Sequence, residues 1–323
     1  MSTVNHIEMM ERIALDLEGV ERALAASLQT GAEDFNELIR PLSAAGGKRL
    51  RAQLCLLVAN AGDSVEEERI KVAEAVELLH LATLIHDDVL DQADIRRGEE
   101  TIHKHKGNKV AILSGDYLFA KAFSIVSDMP TMEYLKIFSH IITCLVEGEF
   151  MQMEDVYRIN QGVQRYMEKT QKKTADFMEG CMELGGLLGK WSQEEIVELK
   201  KYGHALGMAF QITDDIMDYR ETSDTTGKPV GNDLREGLLT YPLLSIVTDN
   251  NKERLLADIK DLHNGKDEKE IIDYVIAAGG IDNTLAIAEQ YCNDALNALA
   301  NIRDFEGKEI LVLAVQNLLN RKV

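Results

Sequence analysis

Apolar residues recur along this chain with the three-to-four-residue period of an α-helix, and polar stretches interrupt them at only a few places. The pattern predicts amphipathic helices over residues 3–28 and 32–43, then over 50–61 and 65–91, with Gly46-Gly47 marking the break between the two pairs. Residues 92–108 (QADIRRGEETIHKHKGN) are polar and read as a loop. Helical periodicity resumes over 109–127, 131–157, 162–189 and 193–220. A second polar stretch, 221–237 (ETSDTTGKPVGNDLREG), precedes a series of shorter helices between 239 and 323. Only four prolines and one tryptophan occur, so the stretches between breakers are long, which favours helices over strands. No Pro- or Ser-rich linker divides the chain and no solenoid-type repeat appears, so 1–323 reads as one all-α domain.

Two of the helical runs close on the same acidic pattern. Asp87-Asp88-Val89-Leu90-Asp91 ends the first and Asp214-Asp215-Ile216-Met217-Asp218 the second, each a D-D-x-x-D. Positions i and i+4 share a helix face, so Asp87 projects with Asp91 and Asp214 with Asp218, each pair beside a third carboxylate. Crowded like charges are costly unless cations neutralise them. Mg2+ favours carboxylate oxygens and bridges them to substrate phosphates, so the doubled motif points to an enzyme acting on diphosphates. A single D-D-x-x-D is a weak signal, since acidic helix ends are commonly just solvated. Two copies, each followed by a glycine-containing basic stretch, are a strong one.

The first acidic helix carries a stripe of Val76, His80, Thr83, Asp87 and Asp91, at steps of 4, 3, 4 and 4. A lone histidine on such a stripe is more often a satisfied core residue; its place two turns below the carboxylates favours phosphate binding. Basic residues come in tight groups. Gly46-Gly47-Lys48-Arg49-Leu50-Arg51 puts Lys48 and Arg51 at a helix start, where backbone N–H groups and cations make an anion site. Arg96-Arg97-Gly98 offers two forked guanidinium groups after the first acidic motif, and Lys173-Thr174 and Gly227-Lys228-Pro229 add further donors. Any one of these pairs alone would read as solvated surface.

Charge and cysteine usage narrow the classes. With 55 acidic against 35 basic residues and a net charge of −20, nucleic-acid binding is not expected. Cys55, Cys144, Cys181 and Cys292 stand singly in apolar surroundings without a C-x-x-C spacing, as reduced buried thiols of a cytosolic protein do. The acidic N-terminus lacks the basic and apolar regions of a signal peptide. No apolar run approaches the roughly 18 residues of a transmembrane helix.

From about residue 30 onward the chain resembles the trans-isoprenyl diphosphate synthases, the polyprenyl synthetases. The matching segments are GGKRLR (46–51), ELLHLATLIHDDVLD (77–91), RRG (96–98), GDYLFAKAF (115–123), KTADFMEGCMELG (173–185), FQITDDIMD (210–218) and GKPVGNDLREGLLTYPLL (227–244). The resemblance implies an isoprenoid-synthase bundle of long antiparallel helices around a central cavity. It implies that Asp87, Asp88, Asp91, Asp214, Asp215 and Asp218 hold three Mg2+ on an allylic diphosphate. Arg96, Lys173, Thr174, Gln211 and Lys228 would contact that diphosphate, and Gly47, Lys48, Arg51, His80 and Arg97 would bind isopentenyl diphosphate. The sequence departs from the family pattern twice. Glu100 stands before Thr101 where a proline is common, and Leu238 stands where the family's G-K-x-T has lysine.

In this family, bulk four and five residues before the first aspartate caps the product tunnel. Here those residues are Thr83 and Ala82. Thr83 lies on the Asp87 stripe and Ala82 to its side, and it is the resemblance that picks out Ala82. Small residues imply an open tunnel and a hexaprenyl-to-octaprenyl product, of the kind used for quinone side chains. The family is dimeric, which implies a homodimer, or a heterodimer where a small second subunit exists. Competing readings are a short-chain farnesyl or geranylgeranyl synthase, a class I terpene cyclase, an HD-type metal phosphohydrolase built on His80 and His86-Asp87, and a noncatalytic prenyl-binding subunit. The cyclase would lack the isopentenyl site, the phosphohydrolase would want histidine ligands, and the binding subunit would not keep costly clustered charge.

Overall fold

The computed structural model describes residues 2–29, 36, 49–96, 98–220 and 231–320. Among them the chain is all-α apart from one two-stranded hairpin. They divide into two compact units, the chain passing between them at 139/140, 179/180, 197/198, 303/304 and 307/308.

In the first unit, Ser2–Ser27 presents Met9, Ile13, Val20 and Leu24, at helical spacing and all buried. This helix packs on Leu50–Asn60 and Glu66–Leu90. A buried polar knot joins all three: Asp16 accepts from Asn60 Nδ2 at 2.7 Å and from Arg69 Nε at 2.9 Å. Both carboxylate oxygens are bonded, since Arg69 also reaches Oδ1 at 3.2 Å, so the buried charge is paired. Glu66, Glu67 and Glu68 open their helix, where acidic side chains complement the N-terminal dipole. It ends at Leu90, with Gln92 in the left-handed region at φ 51°.

Helix Asn108–Ser127 packs along Glu66–Leu90, and glycine sets the approach. A Cβ on Gly115 would stand 2.2 Å from His86 Nε2. Asn108–Ser127 is long and apolar enough to match a membrane span, contrary to the expectation that no run approaches that length. One face of it is buried, through Ala111, Ser114, Gly115, Leu118, Ala122 and Val126, and length and apolar composition alone do not make it a span. The segment Gly180–Val197 closes this unit against Leu50–Asn60. Gly185 touches the Cys55 carbonyl, and Trp191 Nε1 donates to the Val58 carbonyl at 3.0 Å.

The second unit is built around Gln193–Arg220. Met208, Ile212, Ile216 and Tyr219 form its buried stripe, packed with Tyr166, Leu234, Leu243 and Val275. Gly207 brings this helix onto Ala175, whose Cα would lie 2.6 Å from an added Cβ. Gly280–Ala300 and Lys308–Asn320 pack together, and Tyr202 donates to the Leu311 carbonyl at 2.9 Å.

Three further sequence expectations change. Residues 92–108 are an antiparallel hairpin (Ile95 opposite Glu100, Arg96 opposite Glu99) followed by helix Ile102–Lys106, not a featureless loop. The run 162–189 is three pieces: Gly162–Thr170, a π-helical turn Gln171–Ala175, and Asp176–Leu188. Gly280–Ala300, at 21 residues, is long rather than short. The helix predicted over 32–43 falls outside the described residues except at Asn36.

Candidate active site

Both aspartate motifs sit at helix C-termini, in separate units. Asp87 and Asp88 occupy the last turn of Glu66–Leu90, and Asp91 follows, its N–H donating to the Asp87 carbonyl at 2.8 Å. The C-terminal end of a helix is its negative pole, so three carboxylates there are destabilising in the absence of cations. Arg96 supplies one: its Nε donates to Asp88 Oδ1 at 2.6 Å, and Asp88 is buried. The hairpin that carries Arg96 is pinned from below, because Thr101 Oγ1 donates to the Ala93 carbonyl at 2.7 Å and His103 Nε2 lies 2.7 Å from the same oxygen. Thr101 also caps Ile102–Lys106, accepting from the Lys104 amide.

Two turns below Asp87, His80 Nε2 lies 3.4 Å from Arg51 Nη1. Burial lowers the Arg51 pKa, against the raising fields of Cys181, Glu77 and Asp87. A desolvated guanidinium beside an imidazole in the field of Asp87 is a site suited to an anion. Arg49, left-handed at φ 47°, is committed elsewhere, to Glu21 at 2.8 Å and Glu77 at 3.1 Å. His86 is likewise spent on structure, with Nε2 3.1 Å from the Ile112 carbonyl and 3.7 Å from Asp116. Histidine ligation of the phosphohydrolase type therefore finds no support at His80 or His86.

The second motif ends Gln193–Arg220 and is held by a relay of donors, buried Tyr166 and half-buried Gln211. Tyr166 Oη donates to Asp215 Oδ2 at 2.5 Å, and Gln211 Nε2 donates to Oδ1 at 2.9 Å. Gln211 Oε1 in turn accepts from Thr174 Oγ1 at 2.9 Å. Burial pushes Asp215 up to about 7, with Tyr166 and Gln211 opposing the rise, Asp214 adding to it and Lys169 opposing it. Asp218 accepts from the backbone N–H groups of Asn232 at 3.1 Å and Asp233 at 3.2 Å, which fixes the start of Asn232–Glu236 against the motif. Lys173 pairs with Glu149 at 2.5 Å, and Gly148 leaves room for its stem.

Of the sequence-predicted residues, the first unit therefore joins Asp88 to Arg96 and Arg51 to His80. The second joins Thr174, Gln211 and Asp215 and places Lys173 beside Glu149. Ala82 is wholly enclosed, and Thr83 is half-buried with its hydroxyl donating to the His80 carbonyl at 2.8 Å. Gly47, Lys48, Arg97 and Lys228 lie outside the described residues. Sequence reasoning missed Tyr166 and Lys169. The available signal was spacing, since Tyr166, Lys169 and Lys173 follow at i, i+3 and i+7. It also missed the π-turn that carries Lys173 and Thr174; such turns recur at functional sites.

The polyprenyl synthetase family model matches residues 32–278. This chain belongs to the polyprenyl synthetase family. Heptaprenyl diphosphate synthase component 2 of Geobacillus stearothermophilus is 33% identical over 296 residues, covering 92% of each chain. Octaprenyl diphosphate synthase of Escherichia coli (strain K12) is 31% identical, over 96% of this chain and 97% of its own. The crystal structure of heptaprenyl diphosphate synthase from Staphylococcus aureus superposes with a TM-score of 0.88 at 29% identity, covering 96% of this chain and 99% of that one. The all-α fold is thus that of the polyprenyl synthetases, and the enzyme class is a prenyl diphosphate synthase. The family uses Mg2+, and hard carboxylate oxygens gathered at negative helix ends suit that ion.

Proposed function

We propose that this chain condenses an allylic diphosphate such as farnesyl diphosphate with isopentenyl diphosphate, repeatedly, to give a medium-to-long all-trans polyprenyl diphosphate. The observation that carries the reading is the doubled carboxylate motif, each copy at a helix C-terminus and each braced by a donor, half-buried Arg96 at Asp88 and buried Tyr166 at Asp215. Asp87, Asp88, Asp91, Asp214, Asp215 and Asp218 would hold three Mg2+. When bound, Mg2+ neutralises the diphosphate and stabilises the charge that develops as the allylic C–O bond breaks.

The chain's own groups do the rest. Lys173 and Thr174, on the π-turn, hold the allylic diphosphate together with Arg96, Gln211 and Lys228. The Thr174–Gln211–Asp215 relay orients donor and carboxylate as one unit, so the site needs little reorganisation as charge develops. Gly47, Lys48, Arg51, His80 and Arg97 hold isopentenyl diphosphate with its double bond toward the cationic carbon. After the new C–C bond forms, a proton leaves the isopentenyl unit for the departed diphosphate, restoring an allylic double bond for the next cycle. Small Ala82 and Thr83 leave space for a growing chain of hexaprenyl-to-octaprenyl length. The Arg51–His80 pair favours this reading over a terpene cyclase, which needs no second diphosphate site.

The working assembly is a homodimer, with a small second subunit as the alternative suggested by the relative named component 2. Val146, Phe150 and Met153 support a partner, since they follow one helical stripe and are exposed. We place the protein in the cytosol, in keeping with four free, buried cysteines. Loss of prenyl transfer in Asp87→Ala and in Asp214→Ala at matched Mg2+ tests the function, and near-wild-type activity in either folded variant would contradict it.

A further inference from the structure

Apart from the aspartate motifs, the second unit gathers a different set of ligating groups. His140 and Cys144 stand at i and i+4 on helix Met132–Asp155, and Asp176 opens Asp176–Leu188. One ligand atom from each lies within 4.8 Å of the other two. The Cys144 sulfur is 3.8 Å from His140 Nδ1 and 3.7 Å from Nε2. Asp176 converges equally with Glu179 and with His204 of Gln193–Arg220, so one carboxylate is shared by two neighbouring sets from three helices. His204 Nδ1 is 3.5 Å from Glu179 Oε2.

We propose that His140, Cys144 and Asp176 form a binding site for a zinc-class divalent cation, distinct from the Mg2+ motifs. The donor set selects the metal. Thiolate and imidazole are ligands for Zn2+ or Co2+, whereas the aspartate motifs offer only hard oxygen. Cys144 and Asp176 are buried and His140 is exposed, which gives a held pair and an approach from solvent. Burial, reinforced by a hydrogen bond to Asp176, pushes the Cys144 thiol up to about 12. Gln171 Nε2 steadies Asp176 Oδ1 at 3.3 Å, and Lys172, paired with Glu147 at 2.5 Å, flanks the sulfur. Asp176 directly follows the π-turn of Lys173 and Thr174. An ion there would tie that turn to helix Met132–Asp155.

The test is a Co2+ titration of the chelator-stripped full chain in excess Mg2+, which occupies the oxygen-only sites. The wild type is expected to take up one equivalent of Co2+ with a thiolate-to-cobalt charge-transfer band in the near ultraviolet, reversed by Zn2+. Cys144→Ser is expected to abolish the band. His140→Ala, at an exposed position that does not threaten folding, is expected to weaken binding at least about tenfold. Zn2+ should raise the unfolding temperature of the wild type and not of Cys144→Ser. Absence of the band in folded wild-type protein, or its persistence in folded Cys144→Ser, overturns the proposal.

Discussion

Tyr166→Phe isolates one hydrogen bond of the second aspartate motif. The phenol is buried and donates to Asp215 at 2.5 Å, while its ring packs edge-on to Tyr241 at a centroid distance of 5.7 Å. Phenylalanine keeps the ring and leaves no cavity. What is lost is a charge-assisted bond to a buried carboxylate, worth about 1.5–3 kcal/mol. Gln211 remains on the other oxygen, so Asp215 stays in place with its charged form less favoured. Because 1.4 kcal/mol is tenfold in an equilibrium constant, half-maximal rate should require about 10- to 100-fold more Mg2+. The assay is initial rate against Mg2+ concentration at saturating prenyl substrates, with thermal unfolding to confirm the fold. Tyr202→Phe is the control: its phenol is as buried but donates to the Leu311 carbonyl, so it should lower stability without moving the Mg2+ curve. An unchanged Mg2+ curve in folded Tyr166→Phe would refute the reasoning that Asp215 is a ligand held by its donors.

Lys48→Ala should mainly raise KM for isopentenyl diphosphate, and Lys173→Ala should act on the allylic substrate or on kcat; equal effects of both changes on both substrates would count against two separate diphosphate sites. Ala82→Phe should shorten the product toward three or four isoprene units, because a phenyl ring placed five residues before Asp87, roughly 7.5 Å along the helix, fills a close-packed interior. That variant should also cost about 1–3 kcal/mol in stability, since Ala82 is fully enclosed; an unchanged product distribution would place the length limit elsewhere. Sedimentation should give a dimer at working concentration, and a fully active monomer would exclude the proposed assembly.

The long helices were legible because a continuous apolar stripe and a breaker-free run carry their own signal. Gln193–Arg220 has the bounds that periodicity predicts. The hairpin around Gly98 was not, since strands of two residues have no period to read; its order comes from Thr101 and His103 reaching back to Ala93. The π-turn was invisible for a related reason. One residue inserted into a helix shifts the register after it without altering composition, and here it is the packing of Gly207 on Ala175 that accompanies it. The aspartates themselves were legible, because six carboxylates in two copies have no bland explanation. Their supports were less so. Tyr166 reads as a core aromatic until its hydroxyl is seen on Asp215, and nothing in the sequence shows that Arg96 reaches Asp88.

The most direct test of the account is product formation by the purified chain with farnesyl diphosphate, labelled isopentenyl diphosphate and Mg2+, followed by chromatography of the dephosphorylated products. The wild type is expected to give a hexaprenyl-to-octaprenyl series, and both Asp87→Ala and Asp214→Ala to lose turnover at matched Mg2+. Near-wild-type activity in either folded variant would contradict it.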